Sequence, residues 1–207
     1  MYLETPKLYL ASKSPRRHEI LKGLRINFQY IESPYEERIS DVALLAPEKK
    51  SAKLASLKAM YAANSVDNGL VIGADTIVVD GEEILGKPKD RADAKRMLQE
   101  LSGKKHRVIS GIAVVDGKNN KIYTHSEITY VYFRDLSERD IETYLNTDEP
   151  YDKAGAYGIQ GHAGLFVEKI EGCYFNVVGF PVVAFRNIIK EAGYDIIDFM
   201  NLEGKNK

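Results

Sequence analysis

The chain has 207 residues, 44% hydrophobic and 29% charged, the make-up of a folded unit with a sizeable core and not of a disordered one. Its 29 Lys and Arg against 30 Asp and Glu leave a net charge of −1, which argues against sequence-independent nucleic-acid binding through bulk charge and leaves a local basic patch as the alternative. The single cysteine, Cys173, excludes an intramolecular disulfide and an all-cysteine zinc site.

No apolar run approaches the ~20 residues that a membrane helix needs. The start, Met1-Tyr-Leu-Glu-Thr-Pro-Lys7, lacks the apolar core of a signal peptide, so a cytoplasmic protein without a membrane partner is expected. Residues 7–12 predict a short strand. It runs into Lys13-Ser-Pro-Arg-Arg-His-Glu-Ile-Leu21, where Ser14 can cap a helix and Pro15 suits its first turn. Ile20, Leu21 and Leu24 mark the apolar face, which leaves Arg16 and Arg17 at an exposed helix start. Two cations beside unsatisfied amides make an anion site; two solvated surface arginines are the alternative. A second strand is expected at Phe28–Ile31, followed by the adjacent acids Glu36 and Glu37. Such a pair can ligate a hard cation or simply be solvated. Pro47 to about Asn64 reads as a helix with several lysines, Lys58 among them.

The stretch from Gly69 to Asp90 organises the chain. Leu70–Ala74 reads as a buried strand, interrupted by Asp75 and Thr76 before Ile77-Val-Val79 restores the apolar pattern. A carboxylate inside a strand needs a cation, hydrogen-bond donors or a solvated cleft. Asp80-Gly81 offers a tight turn, and Gly86-Lys87-Pro88 returns a lysine towards the same end of the sheet. Carboxylate, hydroxyl and ammonium on one hairpin suit metal-assisted chemistry on a phosphate; a buried Asp satisfied by loop amides is the alternative.

Asp90 can cap a helix over residues 91–101, and two long strands, 106–115 and 121–133, flank the clearest hairpin. Ser137 and Asp140 stand at capping-box spacing for a helix to about Asn146. Residues 147–164 form a long loop in which Gly155, Gly158, Gly161 and Gly164 recur every third residue, with Lys153, Tyr157 and Gln160 between them. Loops of this length are usually functional, the alternative being a mobile surface loop. Strands 165–170 and 174–178 and a helix from Pro181 to Ala192 complete the pattern, and Gly204–Lys207 reads as a frayed tail. The fold class expected is α/β: a single domain, residues 1–207, on a long mixed twisted sheet flanked by helices. Two lobes, about 1–100 and 101–207, would enclose a cleft.

Nucleophilic chemistry finds little support: there is no Gly-x-Ser-x-Gly elbow, no phosphate-binding Gly-x-x-x-x-Gly-Lys-Ser/Thr loop, and no metal-ligand spacing among His18, His106, His125 and His162. What remains is a set of cations (Arg16, Arg17, Lys58, Lys87, Lys153) and acids (Glu36, Glu37, Asp75). Cations clamp phosphate oxygens, and acids hold a divalent metal or take a proton from water. Metal-assisted hydrolysis of a nucleotide phosphoanhydride is the economical reading.

The chain resembles the Maf family of nucleotide pyrophosphatases from about Leu8 to Ile189. The resemblance is carried by Ala11-Ser-Lys-Ser-Pro-Arg-Arg17, Ser33-Pro-Tyr-Glu-Glu37, Lys58-Ala59, Gly73-Ala-Asp-Thr76, Gly86-Lys-Pro88, Leu101-Ser-Gly103 and Asp152-Lys-Ala-Gly-Ala-Tyr-Gly-Ile-Gln-Gly161. It implies cleavage of nucleoside triphosphates between the α- and β-phosphates with a divalent cation, Mg²⁺ or Mn²⁺. It further implies Asp75 as proton acceptor, Arg16, Thr76 and Gln160 in substrate choice, and Ser12, Arg17, Glu37, Lys58, Lys87 and Lys153 lining the cleft, with Glu37 and Asp75 towards the metal. The Ala156-Tyr-Gly-Ile-Gln160 run resembles the branch acting on dTTP and UTP. Glu36 departs from the family's usual Asp, and Ser110 from its Thr, where no consequence is expected. The family's association with septum formation keeps a regulatory or interaction role open as the alternative, and a second copy of the chain is kept open as a partner.

Overall fold

The computed structural model describes residues 5–201, apart from the side chain of Ile39. The tail expected at Gly204–Lys207 and the first four residues lie outside that range. Seven strands form one mixed sheet: β1 (Leu8–Leu10), β2 (Gln29–Tyr30), β3 (Leu70–Asp80), β4 (Glu83–Leu85), β5 (Lys105–Asp116), β6 (Lys121–Phe133) and β7 (Val167–Glu171). Their order is β2-β1-β3-β5-β6-β7, with β4 paired to β3. β1 is parallel to both β2 and β3, and every other pair is antiparallel. The helices are α1 (Pro15–Gly23), α2 (Pro47–Ala63), α3 (Arg91–Leu101), α4 (Glu138–Leu145), α5 (Tyr174–Val178) and α6 (Val182–Glu191). None is long and apolar enough to cross a membrane.

Side-chain caps start two of the helices, while Ser14, expected to cap α1, makes no side-chain cap bond and Pro15 opens that helix. Asp90 accepts from the Asp93 amide to start α3, and Ser137 and Asp140 form a reciprocal capping box on α4. One element departs from expectation. Residues 174–178 are helical, not a strand, although Tyr174-Phe-Asn-Val-Val178 is an aromatic and β-branched run. The helix is closed by Gly179 at φ 116°, and the Phe180 amide returns to the Phe175 carbonyl. Inside it, Asn176 donates to the Val108 carbonyl and to Thr129 Oγ1, which ties the turn down on β5 and β6. Those tertiary bonds override the strand propensity.

The two faces of β3 are covered differently. Leu70, Ile72 and Ala74 join α1 and α6 in one core, while Val71 packs with Ala55, Ala59 and Ala62 of α2 on the other side. A separate core gathers Val78 and Leu85 with α3, α4 and Phe166. Each of the first and last of these cores draws residues from both sides of residue 100. The α2 helix lies close on the sheet because Gly73 and Gly111 face it; a Cβ at either position would overlap helix backbone, that of Ala55 and of Ser51 respectively. Gly111→Ala is therefore expected to cost about 1–3 kcal/mol by overpacking, read as a lowered Tm, and an unchanged Tm would contradict the close approach.

Candidate active site

Strand alternation places Asp75 and Thr76 back to back. Asp75 shares the α2 face with Val71 and Gly73, and Thr76 shares the opposite face with Ile72 and Ala74. They fall where the core around α1 and α6 gives way to the core around α3, so β3 carries its polar residues at the floor of the cleft between the two.

Asp75 is 8% exposed. Its Oδ1 accepts from Lys58 Nζ at 2.6 Å, and the same ammonium meets Glu37 Oε1 at 2.5 Å. One lysine on α2 thus bridges an acid of the central strand and an acid of the loop after β2. The close seating of α2 on Gly73 and Gly111 is what lets Lys58 reach the sheet. Ser33 Oγ donates to the Lys58 carbonyl at 2.8 Å, which fastens that loop to the helix.

On the other face Thr76 Oγ1 lies 2.9 Å from Ser110 Oγ, its register partner on β5, and Ser110 donates to the Asn176 carbonyl at 3.1 Å. Arg17 completes this network. Its guanidinium donates to the Gly179 carbonyl at 2.8 Å, to Ser12 Oγ at 2.9 Å and to Thr76 Oγ1 at 3.3 Å. Burial pulls the Arg17 pKa below its ordinary value, and the charge of Asp75 opposes that shift. Here the structure corrects the expectation of an exposed arginine. Pro15 starts the helix, but the carbonyl at the end of α5 offers a buried partner that a surface position lacks. A guanidinium has five N–H donors, so three internal bonds leave donors for a ligand.

Arg16 stays half-exposed and its Nη1 donates to Asp152 Oδ2 at 3.3 Å, so the start of α1 is linked to the glycine-rich loop. Lys153 Nζ donates to Asp152 Oδ1 at 2.5 Å and to the Glu149 carbonyl at 2.7 Å. Burial would raise the Asp152 pKa, but Lys153 and Arg16 outweigh it and hold the carboxyl below its ordinary value. The loop itself folds into short 3-10 turns at Pro150–Asp152, Ala154–Ala156 and His162–Phe166. Gly155, at φ 69°, rests on Val78, and its amide donates to the Gly86 carbonyl at 3.0 Å, which joins the loop to the β3–β4 hairpin. Lys87 and Gln160 are exposed on the walls, and among the described residues neither side chain has a hydrogen-bond partner.

Ser12, Arg16, Arg17, Glu37, Lys58, Asp75, Thr76, Lys87, Lys153 and Gln160 therefore line one open cleft of about 1380 Å³. Glu36 is exposed and outside it. The residues that sequence reasoning passes over are Ser110, Asn176 and the Gly179 carbonyl. Ser110 matters because its hydroxyl, which the family's usual Thr also carries, holds Thr76. Asn176 carried a usable signal: an amide inside an apolar run must find buried partners.

Such a floor can set a polyanion against a carboxylate, with cations among the residues that line the cleft. It defines an α/β protein with a charged, acid–base cleft at an interruption in its central strand. The comparisons agree and go further: residues 7–192 match the model of the Maf-like protein family, and the chain belongs to that family. It is 53% identical over 185 residues to the dTTP/UTP pyrophosphatase of Alkaliphilus oremlandii, covering 89% of this chain and 95% of that one. To the dTTP/UTP pyrophosphatase of Clostridium botulinum (strain Kyoto / Type A2) it is 47% identical over 196 residues, with 91% and 98% covered. To that of Carboxydothermus hydrogenoformans it is 43% identical over 188 residues, with 91% and 100% covered.

Proposed function

We propose that this protein hydrolyses dTTP and UTP to the nucleoside monophosphate and pyrophosphate, as a cytoplasmic enzyme of the nucleotide pool. The observation that carries the reading is the Asp75–Lys58–Glu37 bridge on the floor of a cleft whose walls hold Arg16, Arg17, Lys87 and Lys153. The relatives' activity supplies the substrate class.

In this account the water oxygen bonds to the α-phosphorus, the bond from that phosphorus to the bridging oxygen breaks, and pyrophosphate leaves. Asp75 takes the proton from water, and Lys58, 2.6 Å from its Oδ1, holds the carboxylate in position. The arginines and lysines of the walls neutralise the charge gathering on the leaving pyrophosphate. Glu37 and Asp75, which converge on the Lys58 ammonium, are the residues that would hold a Mg²⁺ or Mn²⁺ ion. When bound, such an ion neutralises phosphate charge and polarises the phosphorus–oxygen bond. Thr76 is already committed to Ser110 and Arg17, so it contributes by fixing the guanidinium.

Base choice is assigned to Gln160. A carboxamide offers an acceptor and donors together, so it can pair with the O4 and N3–H edge shared by uracil and thymine. Cytosine presents the opposite polarity there. Pure protein given dTTP, UTP, CTP and GTP with Mg²⁺ or Mn²⁺ should release pyrophosphate fastest from the first two; orthophosphate with nucleoside diphosphate would overturn the reading. Gln160→Ala should lower kcat/KM for dTTP and UTP and narrow their advantage over CTP, since a site built on a base hydrogen bond discriminates through it. An equal loss on all four nucleotides would move Gln160 to the phosphate end.

A further inference from the structure

Gln160 is exposed and makes no side-chain hydrogen bond among the described residues, so its ability to tell two edges of similar shape apart has to come from the backbone beneath it. That backbone is a turn. The Gly161 amide donates to the Gly158 carbonyl at 3.1 Å, which puts Ile159 and Gln160 at the two central positions. Ile159 packs against the core around α1 and α6 and anchors one side. The two glycines bracket the turn, and neither is required by its own backbone angles in the way Gly155 is: Gly161 sits at φ −102°.

What requires them is the space where a side chain would stand. A Cβ on Gly158 would meet Lys153 Cε at 2.7 Å, and a Cβ on Gly161 would overlap the carboxylate of Glu149. Both Oε atoms of Glu149 accept from the His162 amide at 3.1 Å, and Oε1 lies 2.6 Å from His162 Nδ1. The Glu149 carbonyl meanwhile accepts from Lys153 Nζ at 2.7 Å. Glu149 therefore touches both ends of the turn, one through its side chain and one through the lysine stem that crosses Gly158. Burial opposes its ionisation, but the His162 amide and ring and the charge of Lys153 outweigh that and keep the carboxyl below its ordinary value, so it is an acceptor at neutral pH.

We infer that Glu149 is a positioning residue for substrate selection: seated under Gly161 and bonded to His162, it fixes the Gly158–Gly161 turn so that the carboxamide of Gln160 meets the pyrimidine edge in one orientation. This rests on the reading that Gln160 contacts the base. Removing Glu149 frees the turn without touching the Asp75–Lys58 floor, so the loss falls on selection and on KM before it falls on the chemical step.

The test compares kcat and KM for UTP and CTP in the wild type, Glu149→Ala, Glu149→Gln, Gly161→Ala and Gln160→Ala. Glu149→Ala is expected to reduce the UTP-over-CTP preference by roughly ten- to a hundredfold, the scale of a misplacement near 1 Å, through a KM raised for UTP, with the same product pair. Glu149→Gln, which keeps an oxygen for the His162 amide, should recover most of the preference. Gly161→Ala, which displaces the carboxylate while leaving it in the chain, should reproduce the loss and serves if Glu149→Ala does not fold. If Gln160→Ala narrows the preference while Glu149→Ala and Gly161→Ala leave it intact, or cost all nucleotides equally, the inference fails alone. If Gln160→Ala leaves the preference unchanged, the base reading fails and takes this inference with it.

Discussion

Asp75→Asn is expected to lower kcat by about 10²–10⁴-fold with the fold intact, because it removes the proton acceptor while keeping its shape. Loss of a carboxylate available to a divalent cation adds to that figure. The fold should survive because Lys58 is not left without a partner: Glu37 Oε1 stays 2.5 Å from its ammonium. Breaking a buried pair outright is strongly destabilising, but here one acid of two is neutralised at a cleft floor, and the β3 register with β5 is made by backbone. The check is turnover against circular dichroism and Tm for the purified variant. Near-full turnover with native Tm would make Asp75 a structural anchor for Lys58 and nothing more.

Arg17→Ala should lose activity by about 10²–10³-fold, the scale set by removing one charged donor from a developing oxyanion. Unlike an exposed arginine it should also cost stability. Its removal leaves Ser12 Oγ, Thr76 Oγ1 and the Gly179 carbonyl without the donors that joined α1, β3 and the end of α5. Each acceptor keeps one other partner, from Ser14, Ser110 and Thr76 respectively, but loses a bond to a charged donor worth about 1.5–3 kcal/mol, so a lowered Tm is part of the expected result. Arg17→Lys restores the charge but not the planar fork, and donors radiating from one nitrogen do not reproduce bonds made from three. It should recover little of either property. Full activity in Arg17→Lys would show that only the charge counts.

Much of the site could be read from residue types alone, and the reason is local. Asp75 and Thr76 break an apolar strand, so their burial demanded explanation before any partner was known. Pro15 and the residues after it declare a helix start, and glycines every third residue declare a loop that backbone must approach closely. What could not be read was any contact fixed by distant chain segments. Nothing near Arg17 in sequence announces Gly179, and nothing near Glu149 announces His162 as its partner, since both pairings depend on how separate elements pack. The 174–178 error has the same origin: strand propensity is a surface-fitting preference, and Asn176 found its partners on β5 and β6 in a helical turn. The sheet was legible in outline because its long antiparallel hairpin is a local structure, whereas the parallel pairing of β1 with β3 joins residues about sixty positions apart.

The most direct measurement follows the oxygen atom of water. UTP turned over with Mg²⁺ in water enriched in oxygen-18, and its products weighed by mass spectrometry, reports which phosphorus is attacked and which bond breaks. With water directed at the α-phosphorus and pyrophosphate held by Arg16, Arg17, Lys87 and Lys153, the label must appear in UMP, and the pyrophosphate must be unlabelled. Label in pyrophosphate, or orthophosphate appearing with UDP, would contradict the assignment of this cleft.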